Sequence, residues 1–127
     1  MWMCIIQNQK KGKMATIRHT NAKADLTGTT LTTVYTVPAK SYAIISSIIV
    51  SEDSGNADTI TVSITDAASS PATFSLFKTK AVSANGTSEL LSRDLVLKAQ
   101  EILKFEAATA NRLHVVVAIQ EYYTGIE

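Results

Sequence analysis

The sequence predicts an all-β protein, an antiparallel β-sandwich that is jelly-roll-like and built from seven to eight short strands. Three observations carry this. Ile60-Thr61-Val62-Ser63-Ile64-Thr65 alternates apolar and polar side chains, and a strand there sends Ile60, Val62 and Ile64 to one side and the hydroxyls to the other. Similar segments recur along the chain at the spacing of roughly 8–12 residues that sandwich strands show. Small polar turns separate them, and no segment requires a helix. No repeat of fixed period is present, which argues against a solenoid.

The elements follow in order. Residues 14–30 are polar and read as a lead-in with one short strand at Thr16–His19. Leu31–Val37 is a strand ended by Pro38, which lacks the N–H a ladder needs. Tyr42–Ser51 is apolar on both faces: strict alternation places Tyr42, Ile44, Ile48 and Val50 on one side and Ala43, Ile45 and Ile49 on the other. Such a strand is central or covered from outside. After a loop with Ser54-Gly55-Asn56 as its turn comes Thr59–Asp66, then a loop closed by Pro71. Phe74, Leu76 and Phe77 open the next strand, which runs to about Val82. Asn85-Gly86 is a turn signal, since both residues tolerate positive φ.

Ser88–Leu91, Leu95–Leu97 and Glu101–Ala107 read as strands. A helix competes over Ser88–Ala108, where Leu91, Leu95, Ile102 and Phe105 fall near one stripe. The spacing of the short segments and Leu95-Val96-Leu97 favour strands. Leu113–Tyr122 is the last strand, with Leu113, Val115, Val117 and Ile119 inward and His114, Val116, Ala118, Gln120 and Tyr122 outward.

A chain of 127 residues is of one-domain size. Residues 14–127 are expected to form that domain, with residues 1–13 as an N-terminal extension or arm. Met14-Ala15-Thr16 looks like a natural start, and the extension shares nothing with the patterned body. Its apolar Trp2, Ile5 and Ile6 suit an arm laid on a neighbouring subunit, so deleting it is expected to spare the fold and weaken assembly.

The net charge of +1 leaves no electrostatic footprint for nucleic acid, and Lys10-Lys11-Gly12-Lys13 reads as a solvated basic stretch. No run approaches the roughly 20 apolar residues of a membrane helix, and the first residues lack the form of a signal peptide. The single cysteine, Cys4, excludes an internal disulfide and a cysteine-built metal site, and suits a reducing compartment. Charged residues make up 18% of the chain, below the roughly 25% of ordinary domains, so part of the surface is expected to be covered by other subunits.

Catalytic chemistry is absent from the pattern. His19 and His114 lie far apart in sequence without local carboxylates to complete a metal site. The acidic loop from Glu52 to Asp58 does not match a calcium-binding loop, because counting from Asp53 puts Ile64 at the closing acidic position. There is no GxSxG elbow and no phosphate-cradling glycine loop. No enzyme activity, cofactor or metal is expected.

The series Val34-Tyr35-Thr36-Val37-Pro38-Ala39, Ala43-Ile44-Ile45-Ser46-Ser47-Ile48, Thr59–Asp66, Leu95-Val96-Leu97 and Leu113–Tyr122 resembles, in order and spacing, small virion proteins of tailed bacteriophages. The chain departs from that pattern at Lys40, where the pattern has glycine, and at Gln100-Glu101, where it has a Gly-Asp turn. The resemblance implies a β-sandwich structural protein of the particle and carries over no catalytic residue. It implies assembly in the host cytoplasm into the virion, with other copies of the chain (a trimer among the options) and the major capsid protein or tail and neck proteins as partners. Capsid decoration is the first expectation. A neck, tail or fibre component and a receptor- or carbohydrate-binding module are the alternatives. The residues expected at subunit contacts are Trp2, Ile5, Ile6, Ile45, Ile49, Val116, Ala118 and Tyr122.

Overall fold

The structure, a computed structural model, describes residues 16–124. Its strands are β1 (Thr16–Leu26), β2 (Thr32–Thr36), β3 (Ser41–Glu52), β4 (Asp58–Thr65), β5 (Thr73–Val82), β6 (Thr87–Glu89), β7 (Leu95–Leu97), β8 (Ile102–Ala107) and β9 (Leu113–Tyr123). No helix occurs among the described residues, so the segment from Ser88 to Ala108 is strand and turn.

The topology is that of a long hairpin rolled on itself. β1 pairs with β9, β2 with β8, β3 with β6 and β7, and β4 with β5, all antiparallel. Rolling the hairpin then joins β9 to β3 and β8 to β4. The result is two sheets, one ordered β1-β9-β3-β6 with β7 also on β3, the other β2-β8-β4-β5. Because β6 and β7 occupy the same side of β3, the nine strands fill eight positions, the arrangement of a jelly roll.

Between the sheets lie Ile45, Ile48, Val50 and Leu97 from the first and Ile60, Val62, Leu103 and Phe105 from the second, all fully buried. The inward face of β9 supplies Leu113, Val115, Val117 and Ile119, as its alternation predicts.

Two elements differ from expectation. β1 runs on to Leu26 rather than ending near His19. Its inward residues Ala22 and Ala24 are small and only half-buried, so an edge strand here carries almost no apolar signal. In β3 the register slips between Ile45 and Ser47. The extra residue inverts the phase of the strand: Ala43 and Ile45 face inward before it, and Ile48 and Val50 face inward after it. Strict alternation therefore fails at Ile48 and Val50. Ile45 keeps the side of Ala43 and belongs to the core, not to a subunit contact.

The gap between β6 and β7 lies across from this slip, and Glu89 holds the two together. Its carboxylate accepts from the Ser47 hydroxyl and from the amides of Ile48 and Leu91. Burial opposes the charge, but these donors outweigh it and hold the carboxyl below the usual carboxylate range.

Glu52 ends β3 and is buried, with 2% exposure. One oxygen accepts from the amides of Gly55 and Asn85, at 3.1 and 2.9 Å, and the other from the amide and hydroxyl of Ser54. Burial raises its pKa, yet the donors prevail and bring it down to about 2. The carboxylate thus ties together the loops after β3 and β5. In the second loop Asn85 takes the left-handed conformation (φ 54°). Gly86 is needed for space: an added Cβ would collide with Ser83.

The two departures from the phage-protein pattern have a backbone counterpart. Lys40 (φ 62°) and Gln100 (φ 68°) both occupy the left-handed region that favours glycine.

Candidate interaction surface

The outward face of the β1-β9-β3 sheet is built by period-two alternation on three long strands. β9 contributes His114, Val116, Ala118, Gln120 and Tyr122, and register places Lys23 and Ile49 beside Val116, and Ile17 and Tyr42 beside Tyr122. β7 extends the face by setting Val96 beside Ile44. Exposed apolar side chains therefore cross it from Ile17 (55%) through Tyr42 to Val96 (59%), with Ile49 and Val116 beyond them. Tyr42 and Tyr122 stack with their ring centres 4.9 Å apart and 3° between planes. The Tyr122 hydroxyl donates to Gln120 Oε1 at 2.9 Å.

Charge on this face collects at one end. His114 stands between two carboxylates, with Nε2 at 3.3 Å from Asp25 and Nδ1 at 3.5 Å from Asp53. His19 lies toward the other end of the face, opposite Gln120.

On the inward side of β9, Glu121 is buried at 8% exposure. Its Oε1 accepts from Arg18 Nε and Nη2 (3.1 and 2.8 Å), and its Oε2 from the Tyr35 hydroxyl at 2.6 Å. Burial opposes its charge, but Tyr35 and Arg18 together hold the carboxyl below the usual range. The Tyr35 hydroxyl is pushed up, first by burial and then by the carboxylate it binds. This triad joins β1 and β9 of one sheet to β2 of the other.

Of the residues expected at subunit contacts, Ile49, Val116, Ala118 and Tyr122 share the outward face, and Ile45 lies in the core. Trp2, Ile5 and Ile6 lie outside the described residues. Sequence reasoning missed four members of the patch: Tyr42, Ile44, Ile17 and Val96. Tyr42 and Ile44 were grouped with Ile48, whose side chain the β3 slip turns inward, and Ile17 lies on a strand read only in part. Val96 carried a signal that was not used: an alternating Leu-Val-Leu strand with its leucines inward presents its valine outward.

A cavity of about 530 Å³ is lined by Asp58, Thr59, Val82, Ser83 and Ser88 among others. Its one carboxylate already accepts from the Thr109 amide at 3.0 Å. Among the described residues, no group of three or more His, Cys, Asp or Glu is arranged to hold a metal ion.

No family model matches the chain, and no curated protein matches it. Among solved structures it is similar to a chain of the Bacillus endospore appendages, which form a family of disulfide-linked pili. The identity is 14% and the TM-score 0.50, over 87% of this chain and 90% of that one. A chain of infectious bursal disease virus Gt strain aligns at 8% identity and TM-score 0.49, over 87% of this chain and 32% of that one. A chain of the acid-stable capsid of Helicobacter pylori bacteriophage KHP30 aligns at 13% and 0.48, over 86% and 93%. At 14% identity the likeness to the appendage chain is one of fold alone.

Proposed function

We propose that this chain is a non-enzymatic structural subunit of a tailed-phage virion, and specifically a capsid decoration (cement) protein that stabilises the head through contacts with its own copies and with the major capsid protein. The observation that carries this reading is the outward face of the β1-β9-β3 sheet. It presents the exposed apolar side chains of Ile17, Tyr42, Ile49, Val96 and Val116, carried on strands paired throughout their length. A contiguous patch of this kind on a small chain marks a surface used in association. The ordered resemblance from Thr33 to Tyr122 supplies the particle, and the jelly-roll arrangement agrees with it.

The test is the absolute copy number per particle, by quantitative mass spectrometry of purified virions. Icosahedral symmetry multiplies a decoration subunit into the hundreds, whereas a ring at one vertex holds on the order of ten copies. Hundreds of copies are expected. A value near ten moves the subunit to the neck or tail, and absence from the particle refutes the virion reading.

A further inference from the structure

We infer that the open edge of β1 is a pairing site for β1 of a second copy, the two strands joining antiparallel about a two-fold axis so that the sheet runs on from one copy into the next. This deepens the assembly reading above and rests on it.

The first observation is the edge itself. β9 is the one strand that pairs with β1 among the described residues, so the other side of an 11-residue strand faces outward. Alternate amides and carbonyls on that side form a ready template for another strand.

The second is that β1 is the one long edge strand without a break among the described residues, although it carries the charges of Arg18 and Lys23. β5, at an edge of the other sheet, has two register shifts, a left-handed Thr79 (φ 47°) and the lysines Lys78 and Lys80. β2 has five residues and a register shift. β6 and β7 have three residues each. β1 pairs with β9 from Thr16 to Leu26 without a shift, and it contains no proline. A long regular edge left open beside three short or broken ones is a surface kept for pairing.

The third observation selects the occupant. With the axis at Ala22, antiparallel self-pairing matches residues 18–26 of the two copies. It sets His19 opposite Asp25 and Asn21 opposite Lys23 on the outward face, and Thr20 opposite Ala24 on the inward face. Unlike groups meet, the inward side chains at the centre are small, and roughly eight backbone hydrogen bonds form. A parallel in-register arrangement would stack like charges. A two-fold contact of this kind uses one patch twice and closes on itself.

The experiment uses the full chain. Light scattering on a sizing column is expected to give twice the 13.7 kDa chain mass at high concentration and to fall toward 13.7 kDa on dilution. Asn21→Pro and Ala22→Pro are made separately. Neighbouring residues of a strand point their N–H groups to opposite edges, so one proline breaks a β1–β9 bond and the other blocks only the open edge. The variant that keeps the wild-type circular dichroism and Tm is expected to stay at the single-chain mass throughout. Self-association of that variant like the wild type overturns the inference, as does a wild type that stays monomeric up to about millimolar concentration.

If neither variant folds, hydrogen exchange of the wild type decides. Alternate β1 amides are expected to exchange at least tenfold more slowly in the concentrated sample, and equal rates at both concentrations refute the pairing. Val116→Asp, on the outward face, separates the two readings. If it abolishes incorporation into particles while the folded proline variant changes neither mass nor incorporation, the edge inference falls and the assembly reading stands. Absence of the protein from virions removes the assembly reading, while the mass measurement still judges the edge.

Discussion

Replacing Tyr35 with phenylalanine removes one hydroxyl and leaves the ring that packs against the core. That hydroxyl donates to Glu121 Oε2 at 2.6 Å, while both Arg18 bonds go to Oε1. The substitution therefore strips a buried carboxylate oxygen of its described donor. A hydrogen bond to a charged group contributes about 1.5–3 kcal/mol. The Arg18 side chain is 66% exposed, so its ion pair is screened and contributes only about 0–1 kcal/mol. Tyr35→Phe should thus cost about 2 kcal/mol in urea unfolding followed by circular dichroism, with an unchanged m-value, and Arg18→Gln clearly less. For a chain of this size that is a Tm lower by roughly 6–10 °C.

The pH dependence has a definite sign. The folded pKa of Glu121 is depressed, so its stabilisation is present above the ordinary carboxylate value of 4.5 and is lost as pH falls through the lower folded value. Removing Tyr35 weakens that depression and makes the acid limb shallower. The folded pKa of Tyr35 is raised, so its contribution is present below its ordinary value of 10.0 and lost as pH rises beyond it. The phenylalanine variant lacks that alkaline decline. A cost under about 0.5 kcal/mol, against the 1.5–3 expected for a charge-assisted bond, would refute the assignment of this bond as the main support of Glu121. So would a larger loss from Arg18→Gln.

Four further outcomes are expected. Gln100→Gly relieves a left-handed backbone at φ 68° and should raise stability by about 0.5–1 kcal/mol in urea unfolding, the cost of that conformation partly offset by glycine's chain entropy. Gly86→Ala meets the Ser83 side chain and backbone and should lower Tm, and the double variant with Ser83→Gly should recover part of the loss. Glu52→Gln keeps the shape but loses the ionised acceptor, so the decline of stability as pH falls from 4.5 toward about 2 should be visibly shallower than in the wild type. Val116→Asp, on a side chain 40% exposed, should leave Tm within a few degrees and reduce binding to capsids in a co-sedimentation assay.

Most of the strands were legible because burial on one face leaves a period of two. β9 is the clearest case: every inward and outward side chain from Leu113 to Tyr122 follows from alternation. β1 was hidden for the same reason, since an edge strand with alanines and threonines inward has little apolar contrast to read. β3 misled because alternation assumes an unbroken ladder, and its register slips between Ile45 and Ser47. That one slip divided Tyr42 and Ile44 from Ile48 and Val50, and parted Ile45 in the core from Ile49 on the outward face.

The two left-handed turns were half legible. The pattern pointed to glycine positions at Lys40 and Gln100-Glu101, and backbone geometry shows Lys40 and Gln100 in the conformation glycine favours. The triad of Arg18, Tyr35 and Glu121 had no sequence signal at all. Its members are separated by as many as 103 residues and meet only because β1 and β2 flank the same side of the sandwich.

The amino-acid sequence by itself determined that this chain folds as an antiparallel sandwich, because alternation, turn residues and the lack of a required helix are local properties. It also determined which face of β9 is outward. Tertiary structure alone decided how the hairpin rolls, where β3 slips, which scattered apolar residues come to share one exposed face, and which strands lie at the edges of the described sheets. Those depend on pairing between strands far apart in the chain, which the local pattern of side chains does not encode.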